Sequence, residues 1–406
     1  MSILLVGNGF DLHHYFPTSY INFLHTIQFM IDNYEETMTT VGGILNNKVL
    51  HETDPFLKEC SEKHYDIFDN TPLPASSVSW MIEKAKNNMW FNYLSNSINK
   101  DIKWIDFEKE IGRVLKAFSS FLFSAEELYL SNDSVYFNYE NFLKNMEDQH
   151  ILEKFKFFFD FQQNLPGIPS RTAVIKKQYV IEKVTGSKVY YTDDDLIVSE
   201  LYKSLGELSE ILRYYFSVFV DAPMETMRSY GYKPRWPGVI TTSRVYSFNY
   251  TNTFETLYGN NMVEHIHGST LERIVLGVNP DENDELEDID TTFLQFKKYF
   301  QRIFYKTDTS YLKNITAMRA IPRSSEIELV VIGHSLDITD KDIITQVFEL
   351  ASKITIMYHK ESSVKKLINN LVNIYGKRGL DTLREKKKLQ FILQDTIEWV
   401  KVNGVE

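Results

Sequence analysis

The chain has 406 residues, 43% hydrophobic and 14% aromatic, enough apolar mass for a large core and for two domains, which excludes a disordered chain. Its formal net charge of -11 disfavours a broad nucleic-acid surface, and its single cysteine, Cys60, excludes an internal disulfide framework or a zinc site built from cysteines. With no basic leader at the N-terminus and no apolar run of about eighteen residues, the expectation is a cytoplasmic protein without membrane contact.

Ile3-Leu4-Leu5-Val6, broken by Gly7-Asn8-Gly9, predicts a buried parallel strand that turns sharply into a helix. Glycines in such a turn let the backbone approach a diphosphate, while free amides and the positive helix end face the anion. The dinucleotide fingerprint asks for a third glycine, where this chain has Leu12. From Thr18 to about Asp32 the residues Tyr20, Phe23, Leu24, Ile27, Met30 and Ile31 share one helical face, with Ser19 or Thr18 as cap. Residues 34–79, with Pro55, Pro72 and Pro74, read as loop and short helices.

A helical block follows from Val78 to Phe161: Trp80 to Ile98, Ile105 to Phe123 with its stripe of Ile111, Val114, Leu115 and Phe118, and Phe155 to Phe161. Residues 173–192 alternate as two strands around Thr185-Gly186-Ser187. A helix from Asp195 to Val220 precedes Pro223, Pro234 and Pro237. Beyond Gly238 the spacing predicts strands at Val239-Ile240, Val245 to Phe248, Val263 to Ile266, Ile274 to Val278, Leu329 to Ile332, Ile354 to Tyr358 and Leu389 to Leu393. Helices are predicted at Thr291 to Phe304, Lys341 to Ala351 and Ser362 to Tyr375. This alternation argues for an α/β fold: a Rossmann-like parallel sheet joined by the N-terminal strand, with a large, mostly helical insertion. The core takes residues 1–45 plus 237–406, and the insert takes 46–236 with a small hairpin near 173–192. The stretch after Lys353 is locally basic, densest at Lys386-Lys387-Lys388, as a solvated face would be, with an oligomer contact or anion patch second.

Three places carry candidate chemistry. Asn249 follows a strand, where α/β sheets place ligands, although an asparagine there also suits a turn or cap. His265 and His267 alternate along a strand before Gly268, which puts both rings on one face. They suit a metal, completed by Asp11, His334 or Asp340, or one neutral imidazole acting as general base. Gly333-His334-Ser335-Leu336 is a second strand-to-loop turn whose amides and hydroxyl suit a phosphate or ribose, while Asp337 or Thr339 would cap the next helix before Asp340. On the insert, Asp106 and Glu108 cannot face the same way on one helix; one would pair with an arginine such as Arg113 or Arg244, or close the pocket from above.

Gly7-Asn8-Gly9-Phe10-Asp11-Leu12, then Pro17-Thr18-Ser19-Tyr20 with Phe23-Leu24, resembles the opening signature of the AbiH family of bacterial abortive phage infection proteins. Trp104-Ile105-Asp106-Phe107-Glu108, Ser247-Phe248-Asn249-Tyr250-Thr251, His265-Ile266-His267-Gly268 and Gly333-His334-Ser335-Leu336 with Asp340 resemble the same family, in one order along the chain. The set is also similar to the nucleotide site of sirtuins and sirtuin-like NAD hydrolases of bacterial defence. That resemblance implies an antiphage effector that binds NAD and hydrolyses it to nicotinamide and ADP-ribose, without a metal. It puts Gly7, Asn8, Gly9 and Phe10 by the NAD diphosphate, and Asp11, Thr18, Ser19 and Tyr20 near the nicotinamide ribose. Asn249 orients water or ribose, His267 beside Gly268 is the base, and Gly333, His334, Ser335 and Asp340 serve the adenosine side. Asn8 in place of alanine, Thr251 where an aspartate usually stands, and the missing zinc ribbon depart from sirtuins and argue against protein deacylation. The rival expectations are a metal-dependent nuclease or phosphohydrolase using His265 and His267, and a non-catalytic nucleotide sensor. A phage-derived trigger and a homo-oligomer are further expectations.

Overall fold

Ser2–Val6 forms strand β1, the centre of a six-stranded sheet with β2 (Arg244–Ser247), β3 (Val263–His265), β4 (Glu328–Ile332), β5 (Lys353–Tyr358) and β6 (Gln390–Leu393). The computed structural model describes residues 2–97, 105–122, 128–131, 134–138, 150–157, 172–185, 187–236, 244–259, 262–278, 291–320, 326–387 and 389–401. Every pairing in the sheet is parallel, and the strands lie in the order β3-β2-β1-β4-β5-β6. The chain therefore steps outward from β1 on one side through β2 and β3, then crosses back to β4 on the other side. The register aligns Val6 with both Ile332 and Ser247, so the ends of β1, β4 and β2 finish level. Ile3, Leu4, Leu5, Leu329, Val331, Ile354 and Ile356 are fully buried, as expected of central parallel strands covered on both faces.

Two compact units divide the chain: Met1–Ile82 with Ser209–Val275 and Lys298–Glu406, and Glu83–Leu208 with Leu276–Lys297. This differs from a core of 1–45 plus 237–406. Segments expected in the insert are tied to the sheet unit by specific contacts. His64 Nε2 meets the carbonyl of His14 at 2.8 Å and its ring stacks on Phe16, Asn22 donates to Asp54 at 2.8 Å, and Tyr215 donates its hydroxyl to the carbonyl of Pro17 at 2.8 Å. Asp54 caps the helix Pro55–Asn70 through the amides of Phe56 and Leu57, with proline at its first turn, so the region expected as loop and short helices contains a sixteen-residue helix kinked at His64.

The expected helix after the first turn runs Tyr20–Asn33, and Ser19 rather than Thr18 caps it in a reciprocal box with Asn22. The helical reading of 78–161 holds for Ala75–Asn87, Met89–Ser97 and Phe107–Leu122, but Leu128–Ser131 and Ser134–Asn138 are paired antiparallel strands. Thr172–Ile175 joins that ladder, and the expected hairpin is Val180–Thr185 against Ser187–Thr192. Trp104, Phe158 to Phe161, Gly186, Val239-Ile240 and Lys388 lie outside the described residues. Ile274, Val275 and Leu276 are buried but form no strand; the Val275 amide bonds to the carbonyl of His267 instead of to a ladder. Glu398–Lys401 pairs antiparallel with Tyr232–Arg235, a ladder that its short, polar sequences do not announce. Among the described residues no helix is long and apolar enough to cross a membrane.

Candidate functional site at the carboxyl edge of the sheet

The sequence-marked residues lie at strand ends: Gly7 and Gly333 directly after β1 and β4, and Asn249 and His267 two residues beyond the ends of β2 and β3. In open α/β sheets ligands sit outside the carboxyl ends where strand order reverses, which here is the β1/β4 boundary.

At that boundary the two glycine turns touch. A Cβ on Gly9 would lie 2.9 Å from the Cα of Gly333, one on Gly7 would lie 2.6 Å from the Cα of His334, and one on Gly333 would lie 2.0 Å from the Phe10 nitrogen. Gly333 also has a φ of +68°, which favours glycine. The amides of Gly7, Gly9 and Phe10 donate to the carbonyls of Ile332 at 3.0 Å, Gly333 at 2.8 Å and Gly7 at 2.8 Å. Those three N–H groups therefore serve the fold, and the helix they open, Gly9–His13, is a single short turn. Phe10 is a core residue, fully buried among the rings of His14, Trp236, Phe254 and Tyr258. Asn8 and Ser335 are exposed, and Gly9 and Gly333 half-buried, so this is the part of the turn that meets solvent.

Asp11 is fully buried behind that turn. It accepts from the amide of Asn249 at 3.1 Å and from the hydroxyl of Thr251. Burial pushes its carboxyl up to about 7, against the lowering effect of the Thr251, Thr253 and Asn249 hydrogen bonds. Asn249 thus spends its Nδ2 on Asp11, while its buried Oδ1 has no hydrogen-bond partner. Nearby, Thr18 is buried with an unpartnered hydroxyl, and the Tyr20 and Tyr250 hydroxyls lie 3.5 Å apart.

A second cluster centres on Asp340. His267 Nε2 lies 3.0 Å from its carboxylate, Lys298 Nζ 3.1 Å and His334 Nε2 3.4 Å. Burial opposes the charge on Asp340, but the Lys298 ammonium and the hydrogen bonds from His267 and His334 hold it well below the usual carboxylate range. Burial, aided by the Lys298 charge, lowers His267 to about 4, so its ring is neutral near pH 7. A neutral ring facing a carboxylate carries its proton on Nε2, which leaves Nδ1 as a lone pair, buried and without a hydrogen-bond partner. His334 accepts the Leu336 amide on Nδ1 at 2.9 Å, which places its own proton on Nε2 toward Asp340. Phe248 packs edge-on against His267 and tilted against His334.

The two histidines expected on one strand face part company, because β3 ends at His265. His265 meets the carbonyl of Asn249 at 2.8 Å with Nδ1 and Glu255 at 2.7 Å with Nε2. Burial alone would lower it, but Glu255 and the Asn249 carbonyl hold its pKa above the ordinary value. With both nitrogens facing acceptors, His265 braces the backbone of Asn249. Gly268, with a φ of +78°, follows His267, and a Cβ there would sit 1.9 Å from the carbonyl oxygen of Arg273. Among the described residues no three or more His, Cys, Asp or Glu side chains group as a metal ion would require.

Sequence reasoning missed Lys298, which begins the helix Lys298–Tyr305. The signal was present: Lys298, Gln301 and Arg302 form a polar stripe at helical spacing and are buried, while Ile303 and Phe304 on the same helix are 67% and 63% exposed. Asp221 was also missed, lying in an apolar helical run without a motif. On the other unit, Asp106 Oδ1 accepts the Lys109 amide at 3.2 Å at the start of a helix, Arg113 pairs with Glu110, and in the sheet unit Arg244 pairs with Glu264.

No curated protein and no solved structure matches the chain. The family model described as Bacteriophage abortive infection AbiH matches residues 3–359, nearly the whole chain, and the protein belongs to the AbiH family of abortive-infection proteins that act against bacteriophage.

Proposed function

We propose that this AbiH protein is an antiphage effector that binds NAD at the carboxyl edge of its sheet and hydrolyses the nicotinamide–ribose bond after a phage-derived signal. The observation that supports this best is the Asp340–His267 pair, which leaves a neutral, buried Nδ1 without a partner. The strand order 3-2-1-4-5-6 is that of doubly wound dinucleotide-binding sheets, and the glycine turns flank its switch point.

The unpartnered buried atoms in this region include two acceptors, His267 Nδ1 and Asn249 Oδ1. Acceptors without donors call for hydroxyls or water, as a ribose and an attacking water supply. In hydrolysis the C1′–N bond to nicotinamide breaks with its electron pair leaving on nicotinamide, and a water oxygen bonds to C1′. The water proton passes to an acceptor, a role for His267 Nδ1 that the hydrogen bond of its Nε2 to Asp340 supports. A base held near 4 is weak, so its role is to orient the water and receive the proton late, once the ribose carries oxocarbenium charge. Both acceptor atoms are sealed from solvent, so a ligand reaches them only when the loops around them part.

Purified protein incubated with NAD, with and without phage lysate, and analysed by chromatography for nicotinamide and ADP-ribose tests this reading. Release that is lost in His267→Ala and Asn249→Ala, with both variants melting normally, supports it. Full activity in both variants removes the site assignment. No release at all, with ligand-dependent change of size, turns the reading to a sensor.

A further inference from the structure

We propose that Asp221 is a positioning residue for this site: delivered by a π-helical turn, its carboxylate binds the loop that bears Asn249 to the loop that follows His267. The inference rests on the proposed function only where turnover is the readout.

The helix Asp194–Phe216 passes through a π turn, Ser217–Asp221, into the helix Ala222–Ser229. Such turns are rare, and one extra residue in a turn rotates all that follows by about 100°, so they re-aim side chains and occur often at functional sites. Here the re-aimed side chain is Asp221. It accepts the Asn252 amide and the Asn252 side chain, each at 3.2 Å, and the Thr270 hydroxyl. Asn252 donates a second bond to Thr270 at 2.8 Å, the Thr270 amide reaches the carbonyl of Tyr250 at 2.8 Å, and Arg213, itself paired with Glu210, holds the Thr270 carbonyl at 3.0 Å.

Asn252 closes the loop of Asn249 and Thr251, and Thr270 lies three residues beyond His267, so one carboxylate ties both loops. The charged and titratable groups around Asp221 are His265 with its partner Glu255, Asp11, and Arg213 with Glu210. A half-buried carboxylate with this many donors is more than a helix needs for its own stability, since an apolar residue there would avoid the desolvation cost.

The test uses Asp221→Asn and Thr270→Val in the full chain. Nitrogen-detected NMR of the imidazoles follows the titration midpoint of His265, and amide exchange follows Asn252. Loss of the Asp221 charge is expected to lower the His265 midpoint. NAD turnover is expected to fall about 100-fold in kcat while KM changes by less than about threefold, the pattern of displaced reacting groups. In Thr270→Val the Asn252 amide exchanges faster and kcat falls less. An unmoved His265 midpoint together with unchanged kcat and exchange overturns the proposal. If Asp221→Asn does not fold, the Asn252 exchange in Thr270→Val decides. If the native protein does not hydrolyse NAD, the proposed reaction fails by itself, and the His265 midpoint and Asn252 exchange still decide the role of Asp221.

Discussion

The Gly9 amide donates to the carbonyl of Gly333 at 2.8 Å, so the turn after β1 is braced on the turn after β4 with no side chain between them. Alanine at position 333 would combine a left-handed φ with a Cβ 2.0 Å from a backbone nitrogen. Gly333→Ala should therefore destabilise the protein by more than about 3 kcal/mol. Gly259→Ala, whose φ of +69° meets open space, should cost only about 1 kcal/mol from backbone strain. Urea denaturation of the two variants separates crowding from strain.

Asp340 neutralises Lys298, which is 1% exposed, and orients two histidines. Asp340→Asn leaves the ammonium buried without its counter-charge, at a cost of about 3–5 kcal/mol. Adding Lys298→Met should regain part of that by removing the uncompensated charge, although the single amide oxygen of asparagine accepts from only one of the two histidine N–H groups that face Oδ1 and Oδ2 of Asp340. A thermal melt of both variants checks this, and no recovery in the double variant would show that the histidines, not the lysine, need the charge.

Asp11 carries a pH signature. Its folded pKa of about 7 lies above the ordinary 3.8, so its contribution to stability is full below 3.8 and is lost as pH rises through 7, about 4 kcal/mol in all. Asp11→Asn, which cannot ionise, should flatten this slope in chemical denaturation between pH 4 and pH 8. Buried His14 and His64, lowered by burial to about 3 and about 4, work in the opposite direction. Their contribution is complete above pH 6.5 and is lost as pH falls toward those values.

Ser19 and Asn22 exchange hydrogen bonds at 3.2 Å at the head of the helix Tyr20–Asn33. Ser19→Ala should lower stability by about 1 kcal/mol. If the proposed NAD hydrolysis is observed and Ser19 serves only this cap, the KM of Ser19→Ala stays at the native value; a raised KM would return the hydroxyl to the ligand.

The sequence by itself determined what depends on neighbours along the chain. The apolar runs Ile3 to Val6, Leu329 to Ile332 and Ile354 to Tyr358 read as buried strands, and the breaks after them as turns, because backbone period and glycine conformation are local properties. It also marked Asp11, Asn249, His267, His334 and Asp340, residues whose types suit chemistry. Which of these meet was decided by tertiary structure. Asp11 and Asn249 are 238 residues apart and bond because β1 and β2 are adjacent; His267 finds Asp340 because the loops after β3 and β4 converge. Only that folding separates His265 from His267, gives Gly7, Gly9 and Gly333 to backbone contact, buries Lys298 and brings Asp221 to Asn252 and Thr270. Burial and pairing are properties of three-dimensional neighbours, and those set the charge, the tautomer and the unpartnered atoms on which the chemistry proposed for this edge depends.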